Sequence, residues 1–179
     1  MPKILKERHL FKGKIFNVKQ LDVQFNKSKH KFEILDPNGR HSVIVVPLDN
    51  QNRVVLIKNF AAAFNRFELF PPQGLIDKGE TARHAAQREC QEEAGIKPRK
   101  LIHLASVTAS PAYSRHSQEI FLGLDLINSK LQGDEPDELE VVRVPLKNIH
   151  KIIHEKKITH ASSIAALLLA EKYLNKAKT

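Results

Sequence analysis

The chain has 179 residues, of which 41% are hydrophobic and 27% are charged, so length and composition predict one globular domain and exclude a disordered chain. Its longest apolar run, residues 164–170, is far shorter than the ~20 residues of a membrane span, and the first 14 residues lack the apolar stretch of a secretory signal. A single cysteine, Cys90, excludes an internal disulfide framework and a Cys-rich zinc site, and it favours a cytoplasmic protein.

The net charge of +9 is unevenly distributed. Residues 1–40 hold ten basic and four acidic residues and residues 146–179 hold seven and two, whereas the middle holds twelve and fourteen. Such a surplus can indicate a nucleic-acid partner, but no aromatic residues interleave with Lys27, Lys29 and Lys31 to form a stacking surface, and we do not expect nucleic acid to bind. These three lysines share one face of a predicted strand, which is either a solvated face or a phosphate-binding patch.

The first part of the chain predicts strands. Alternating apolar residues predict a half-buried strand over residues 15–25 with a hairpin partner over residues 31–35, and Pro37-Asn38-Gly39 predicts a turn. Two β-branched runs, residues 42–48 and 54–60, flank four polar residues and predict a second hairpin.

The remainder mixes helices and strands. We predict a helix over residues 81–94 ended by Gly95, strands near 101–108 and 120–126, a loop over 128–140, a short strand over 141–144, a helix over 146–154, and a final helix capped by Ser162 and ending near Asn175. Strands, a central helix, further strands and terminal helices predict an α/β (α+β) fold with a mixed sheet covered by helices.

Three carboxylates lie on one face of the predicted central helix. Glu89, Glu92 and Glu93 stand at positions i, i+3 and i+4, and Arg88 is the only adjacent cation. A bound divalent cation would offset their mutual repulsion, and oxygen ligands favour Mg²⁺ or Mn²⁺ over Zn²⁺. The alternative at this point is a solvated acidic face.

The wider spacing carries a family resemblance. Residues 74–96 are GLIDKGETARHAAQRECQEEAGI, and this stretch resembles the signature box of the Nudix hydrolases at every fixed position. The resemblance implies a Nudix-type α/β/α sandwich with a mixed sheet. It also implies that Glu89 and Glu93 are metal ligands, that Glu92 is a direct or water-mediated ligand with a catalytic role, and that the backbone carbonyl of Gln73 is a further metal contact.

The other box residues have physical roles of their own. Gly74 and Gly79 are expected to permit tight turns, and Glu80 to face the positive end of the helix dipole. Arg88 can hold the carboxylates through bidentate hydrogen bonds, and Gly95 can supply a left-handed C-cap. Cys90 stands at an apolar position of the box, so we expect it to pack the helix.

A narrower resemblance concerns the branch of the family. Residues 67–80, FELFPPQGLIDKGE, resemble the ADP-sugar pyrophosphatase branch, and residues 133–136 and 142–146 are most similar to bacterial ADP compounds hydrolases. The resemblance implies Mg²⁺- or Mn²⁺-dependent hydrolysis of the phosphoanhydride bond of ADP-ribose, NADH or diadenosine polyphosphates, giving AMP and a phosphorylated product.

The same branch suggests substrate-binding residues. Many of its members carry an arginine where this chain has Ala61, so Lys58 is the candidate phosphate contact, with an exposed strand lysine as the alternative. Glu68, from the glutamate-leucine pair of the branch, is a second candidate. Tyr113 lies in a loop where the branch places substrate, or it packs that loop.

A general base should complete the site. Five acidic residues fall within positions 134–140, and we choose Glu135 as the base, with Asp137 as an additional metal ligand. The base could instead come from the box helix or from Glu138, and a solvated acidic connection is the alternative for the whole segment.

Two other functions and an assembly are also considered. An RNA 5′ pyrophosphohydrolase is disfavoured by the ADP-sugar features, and a non-catalytic module that senses ADP-ribose or NAD is disfavoured by the intact carboxylates. Residues 1–40 are strand-forming and hold few apolar residues, and in this branch the corresponding region pairs with a second subunit. We therefore predict a homodimer in which residues 1–40 form the dimerisation element and residues 41–179 the Nudix domain.

Overall fold

The computed structural model describes residues 1–133 and 138–176. In chain order the elements are β1 (Lys3–Lys12), β2 (Asn17–Gln24), β3 (Lys29–Asp36), β4 (Ser42–Pro47), β5 (Arg53–Ala61), β6 (Arg66–Phe70), β7 (Gln73–Leu75), α1 (Ala82–Ala94), β8 (Ile96–Val107), β9 (Gln118–Asn128), β10 (Glu140–Pro145), α2 (Ile149–His154) and α3 (Ala161–Lys176). These residues cluster into two compact units. The N-terminal unit comprises Met1–His41 and Thr108–Ser117, and the main unit comprises Ser42–Val107 and Gln118–Thr179.

The N-terminal unit is an antiparallel sheet in the order β1-β2-β3. Its buried apolar cluster consists of Leu21, Val23 and Ile34 alone. The predicted hairpin is therefore extended by β1, which the sequence pattern did not predict because all ten of its residues are exposed and no face is marked by burial.

The segment between β8 and β9 belongs to the same unit. The Leu35 N–H donates to the Tyr113 carbonyl at 2.7 Å, and the Arg115 N–H donates to the Leu35 carbonyl at 3.0 Å. Backbone hydrogen bonds thus attach this segment to the edge of β3.

A cluster of four charges adds side-chain contacts within that unit. The Arg115 guanidinium lies 2.7 Å from Glu7 and 3.0 Å from Asp36, and Lys19 Nζ lies 2.7 Å from each of the same carboxylates. Hydrogen bonds from Arg115 and then Lys19 lower the pKa of Glu7 to about 2. The cluster joins all three strands to the attached segment.

The other face of this sheet is basic. Lys29 and Lys31 of β3 are exposed. The strand register places them on the same face of the sheet as three exposed cations of β1, which are Lys3, Lys6 and Arg8. Lys27 lies in the turn before β3. The prediction that all three lysines share one strand face is therefore wrong for Lys27.

The main unit contains two sheets, in the orders β7-β4-β9-β8 and β10-β5-β6. The first is mixed, since β4 is parallel to β9 and antiparallel to β7. The predicted hairpin of residues 42–48 with 54–60 is wrong, because one isolated bridge between Leu48 and Val54 is all that joins the two strands. Each already has a partner on both edges, so the two strands enter different sheets.

Alternation along the central strands creates the layers. On β4, Val43 and Val45 pack in a cluster with α1, whereas Ile44 and Val46 pack in a cluster with α2 and α3. All six residues of β4 are buried, as expected for a strand covered on both faces. The result is the predicted α/β/α sandwich.

Three element boundaries differ from the sequence prediction. A 3₁₀ turn over Leu146–Asn148 precedes α2. Helix α3 begins at Ala161, so Ser162 is not its cap and is instead buried in the first turn. Strand β8 begins at Ile96, directly after the helix, and includes Pro98. None of the helices in the described ranges is long and apolar enough to cross a membrane.

Candidate active site

Helix α1 has well-defined ends. The His84 N–H donates to Thr81 Oγ1 at 3.2 Å, which caps the N-terminus, and Gly95 ends the helix with a φ of 66°. The left-handed C-cap expected at Gly95 is confirmed.

Cys90 is fully buried in the cluster that packs α1 on the sheet. Burial, followed by the charges of Glu93 and Glu89, raises the pKa of its thiol. This position supports the packing role.

Arg88 connects the carboxylates of the box. Its Nη1 donates to Glu89 Oε1 at 2.8 Å and to Glu92 Oε2 at 2.9 Å, while Nε and Nη2 donate to the two oxygens of Glu80 at 3.1 and 3.0 Å. Nη2 also donates to the Leu75 carbonyl at 2.8 Å. The hydrogen bond from Arg88 lowers the pKa of Glu80. One guanidinium therefore binds three carboxylates, and its bidentate partner is Glu80, whereas Glu89 and Glu92 share Nη1.

Gly74 makes room for Glu89. A Cβ at Gly74 would lie 2.2–2.5 Å from the carboxylate atoms of Glu89, so the Glu89 side chain would have to shift. The expectation of a turn at Gly74 was wrong, because the residue lies in β7. Its role is to let a strand backbone approach a carboxylate. Gly79, in contrast, has a φ of 86°, as a tight turn requires.

Glu93 fixes the strand that precedes the box helix. Its Oε2 accepts from the Gln73 N–H at 2.8 Å, and its residue is buried. Glu89 and Glu93 thus both contact β7, one through Gly74 and the other through Gln73.

The loop after β9 also lies close to Glu92. Lys130 Nζ donates to the Glu92 carbonyl at 2.9 Å, and a Cβ at Gly133 would lie 3.4 Å from Glu92 Cβ. The proposed base Glu135 and the additional ligand Asp137 lie outside the described residues.

Within the described ranges, no group of three or more His, Cys, Asp or Glu residues has the arrangement of a metal site. The carboxylates of Glu80, Glu89 and Glu92 instead form ion pairs with Arg88. Their oxygens are nevertheless the donors that Mg²⁺ prefers, and the absence of a side chain at Gly74 leaves room for the Glu89 carboxylate beside the strand.

A cavity of about 380 Å³ lies beside β6 in the main unit. It is lined by residues 61–64, Glu68, Phe70 and residues 159–161. The sequence predicted Glu68 as a binding residue but not Thr159 or His160. No local pattern could have found them, because 91 positions separate Glu68 from Thr159.

Glu68 is buried and fully hydrogen-bonded at this cavity. Its carboxylate accepts from the Thr159 N–H at 2.9 Å, from Thr159 Oγ1 at 2.8 Å, and from Arg66 Nη2 at 2.6 Å. Burial raises the pKa of Glu68, but the hydrogen bonds from Arg66 and Thr159 outweigh it and the pKa is lowered overall. Glu68 therefore carries a negative charge near neutral pH.

Neither of the two remaining substrate candidates is among the residues that line this cavity. Lys58 Nζ binds Glu140 at 2.8 Å and lies 5.7 Å from the centre of the Phe67 ring. Tyr113 is in the N-terminal unit, where its backbone pairs with β3 and its side chain is exposed. Substrate contact by either residue stays a prediction.

Comparison with known proteins agrees with the fold and the box. The model of the NUDIX domain matches residues 39–167. The ADP compounds hydrolase NudE of Escherichia coli is 31% identical over 97% of this chain and 93% of its own length, and an ADP-ribose pyrophosphatase of Bacillus subtilis is 26% identical over 92% and 90%.

A solved structure extends the agreement to three dimensions. The crystal structure of an ADP compounds hydrolase superposes with a TM-score of 0.92 at 30% identity, covering 98% of this chain and 95% of that one. The resemblance to the Nudix hydrolases and to their ADP-sugar branch is thereby confirmed. The chain belongs to the Nudix family of hydrolases.

Proposed function

We propose that this enzyme hydrolyses the phosphoanhydride bond of ADP-linked compounds such as ADP-ribose, NADH and diadenosine polyphosphates, releasing AMP and a phosphorylated product. The observation that carries the proposal is the binding of Glu80, Glu89 and Glu92 by Arg88 within the signature spacing. Relatives that are named ADP compounds hydrolase and ADP-ribose pyrophosphatase support the choice of substrate class.

The proposed cofactor is Mg²⁺ or Mn²⁺, held by the Glu89 and Glu93 carboxylates and the Gln73 carbonyl. When bound, such a cation neutralises a diphosphate and lowers the pKa of a coordinated water. The donor set supports this assignment, since carboxylate and carbonyl oxygens are its preferred ligands and both carboxylates contact β7.

The residues of the chain divide the remaining work. Arg88 orients Glu89 and Glu92 through its Nη1, which removes the freedom of two flexible side chains before substrate arrives. Glu135 is the proposed general base that takes a proton from the attacking water. The position of Gly133 supports this proposal. Gly133 is two positions before Glu135 in the chain, and it lies close to Glu92.

Replacing Glu135 by Gln tests the base. We expect turnover of ADP-ribose to fall about 10²–10⁴-fold with an unchanged circular dichroism spectrum, because Gln cannot accept the proton. Glu138→Gln is the matched control in the same segment and should retain its rate. An unaffected rate in the first variant would move the base to the box helix, and a loss only in the control would move it to Glu138.

A substrate panel tests the activity as a whole. We expect Mg²⁺-dependent release of AMP from ADP-ribose, NADH and diadenosine triphosphate, and none of pyrophosphate from 5′-triphosphorylated RNA. Turnover of the RNA alone would contradict the proposal, as would tight binding of ADP-ribose without turnover, which is the behaviour of a sensor.

We also propose that the chain forms a homodimer through residues 1–40. Large apolar side chains of β1 are strongly exposed, among them Ile4 at 52%, Leu10 at 48% and Phe11 at 59%. Exposed apolar side chains grouped on one strand are typical of a protein interface.

A further inference from the structure

The cavity beside β6 has the walls of a ring-binding site. Three consecutive alanines, residues 61–63, form one side, and the aromatic rings of Phe64 and Phe70 form others. The His160 ring lies 6.0 Å from the Phe70 ring. The cavity volume of about 380 Å³ falls within the range of small-molecule sites, which are mostly apolar with few polar groups.

The charges at the cavity exclude a phosphate. No lysine or arginine is among the described lining residues, and the buried ionisable group there is the Glu68 carboxylate. The nearby Arg66 guanidinium is already bound to Glu68 and Thr159, and it lies 5.4 Å from the centre of the Phe64 ring. A diphosphate would find no cation among the described lining residues, whereas a flat ring would meet aromatic and methyl surface.

The cavity is within reach of the carboxylates of the box. Phe70 lines the cavity and also packs against the buried cluster of α1. Four positions later, Gly74 contacts the Glu89 carboxylate, so the two points are at most about 14 Å apart along an extended chain. A substrate held at the box by its diphosphate could place one end in the cavity.

We propose that this cavity binds the second ring of a dinucleotide, the nicotinamide of NADH or the second adenine of a diadenosine polyphosphate. The inference rests on the proposed function and names the substrates within it. ADP-ribose carries a ribose without a second base at that end, so it has no flat ring to stack on these walls. The enzyme therefore prefers dinucleotides, with residues 61–64, Phe70 and His160 as specificity-determining groups.

Ala62→Phe fills the cavity and Phe64→Ala removes one wall. Because stacking of a base on aromatic side chains contributes to binding, we expect kcat/KM for NADH and diadenosine triphosphate to fall about 10-fold in each variant. The value for ADP-ribose should stay within about twofold of the parent. Tyr173→Ala, which removes an exposed aromatic of α3 outside the cavity, is the control and should resemble the parent on all three substrates.

The outcomes separate this inference from the function on which it rests. Equal losses on ADP-ribose and NADH would overturn the second-ring assignment while leaving the hydrolase proposal intact, and so would no loss on any substrate. Should the parent protein hydrolyse none of them, calorimetric titration of the metal-free protein with NADH still decides the inference. Binding weakened by Ala62→Phe but not by Tyr173→Ala supports it, and unchanged or absent binding refutes it.

Discussion

The two units of the molecule each contain an arginine that binds more than one carboxylate, and the two arginines differ in how far along the chain they reach. In the main unit, the carboxylates bound to Arg88 are one, four and eight positions away. In the N-terminal unit, the partners of Arg115 are 79 and 108 positions away. The first cluster follows from local spacing on one helix and in the turn before it, whereas the second forms only after the strands have paired.

The hydrophobic cores of the two units also differ. Strand β4 is buried along its whole length between two hydrophobic clusters, but β1 is exposed along its whole length and its unit buries three apolar residues. The main unit therefore gains its stability chiefly from apolar burial. The N-terminal sheet depends more on backbone hydrogen bonds, ion pairs and, we propose, a second subunit.

Glu89→Gln should have the largest effect, confined to the chemistry of the main unit. We expect kcat for ADP-ribose to fall on the order of 10³-fold, because the side chain loses the charge that would hold the cation. Steady-state kinetics at saturating Mg²⁺ measures it. Glu171→Gln on α3, where the carboxylate pairs with His150, is the control and should be neutral. Full activity in Glu89→Gln would exclude it as a metal ligand.

Gly74→Ala should cost about 10²-fold in kcat, since the new methyl must displace the Glu89 carboxylate from its position. The melting temperature should change little, because the displaced group is a side chain. Gly133→Ala adds the same methyl where the nearest atom would be 3.4 Å away, and it should be active. Equal activity of the two variants would show that the close approach at Gly74 is unimportant.

Phe11→Glu addresses the N-terminal unit. A charge in place of an exposed phenylalanine should weaken the proposed dimer roughly 10-fold or more, given the burial energy of such a side chain. Sedimentation equilibrium at micromolar concentration measures the change, and Leu168→Glu on α3 serves as control. A monomeric mass for the unaltered protein would contradict the dimer.

Arg115→Gln should have the smallest effect. We expect the melting temperature at neutral pH to fall about 2–4 °C, as for an ion-pair network worth about 1 kcal/mol. The pKa of Glu7 is lowered to about 2, so its stabilising contribution is complete above its usual pKa of 4.5 and is lost as the pH falls toward 2. The difference between variant and parent should shrink over that interval, and a difference independent of pH would exclude Glu7 as the partner.

The sequence predicted the helix of the box and the grouping of its carboxylates, because Glu89, Glu92 and Glu93 stand at i, i+3 and i+4 and therefore share one helix face. It did not predict β1, since an exposed strand leaves no hydrophobic period. It also misplaced Gly74 in a turn, because a glycine needed for close approach looks the same in sequence as a glycine needed for φ.

The sequence by itself determined the family, the layers and the chemistry expected at Glu89, through spacing and alternation that act over a few residues. Only the tertiary structure decided that β4 and β5 enter different sheets, that Thr159 holds Glu68 beside a cavity, and that Arg115 joins the sheet to a distant segment. The physical reason is that contacts between residues some 80 to 110 positions apart depend on which strand edges and faces meet, and no local pattern records that choice.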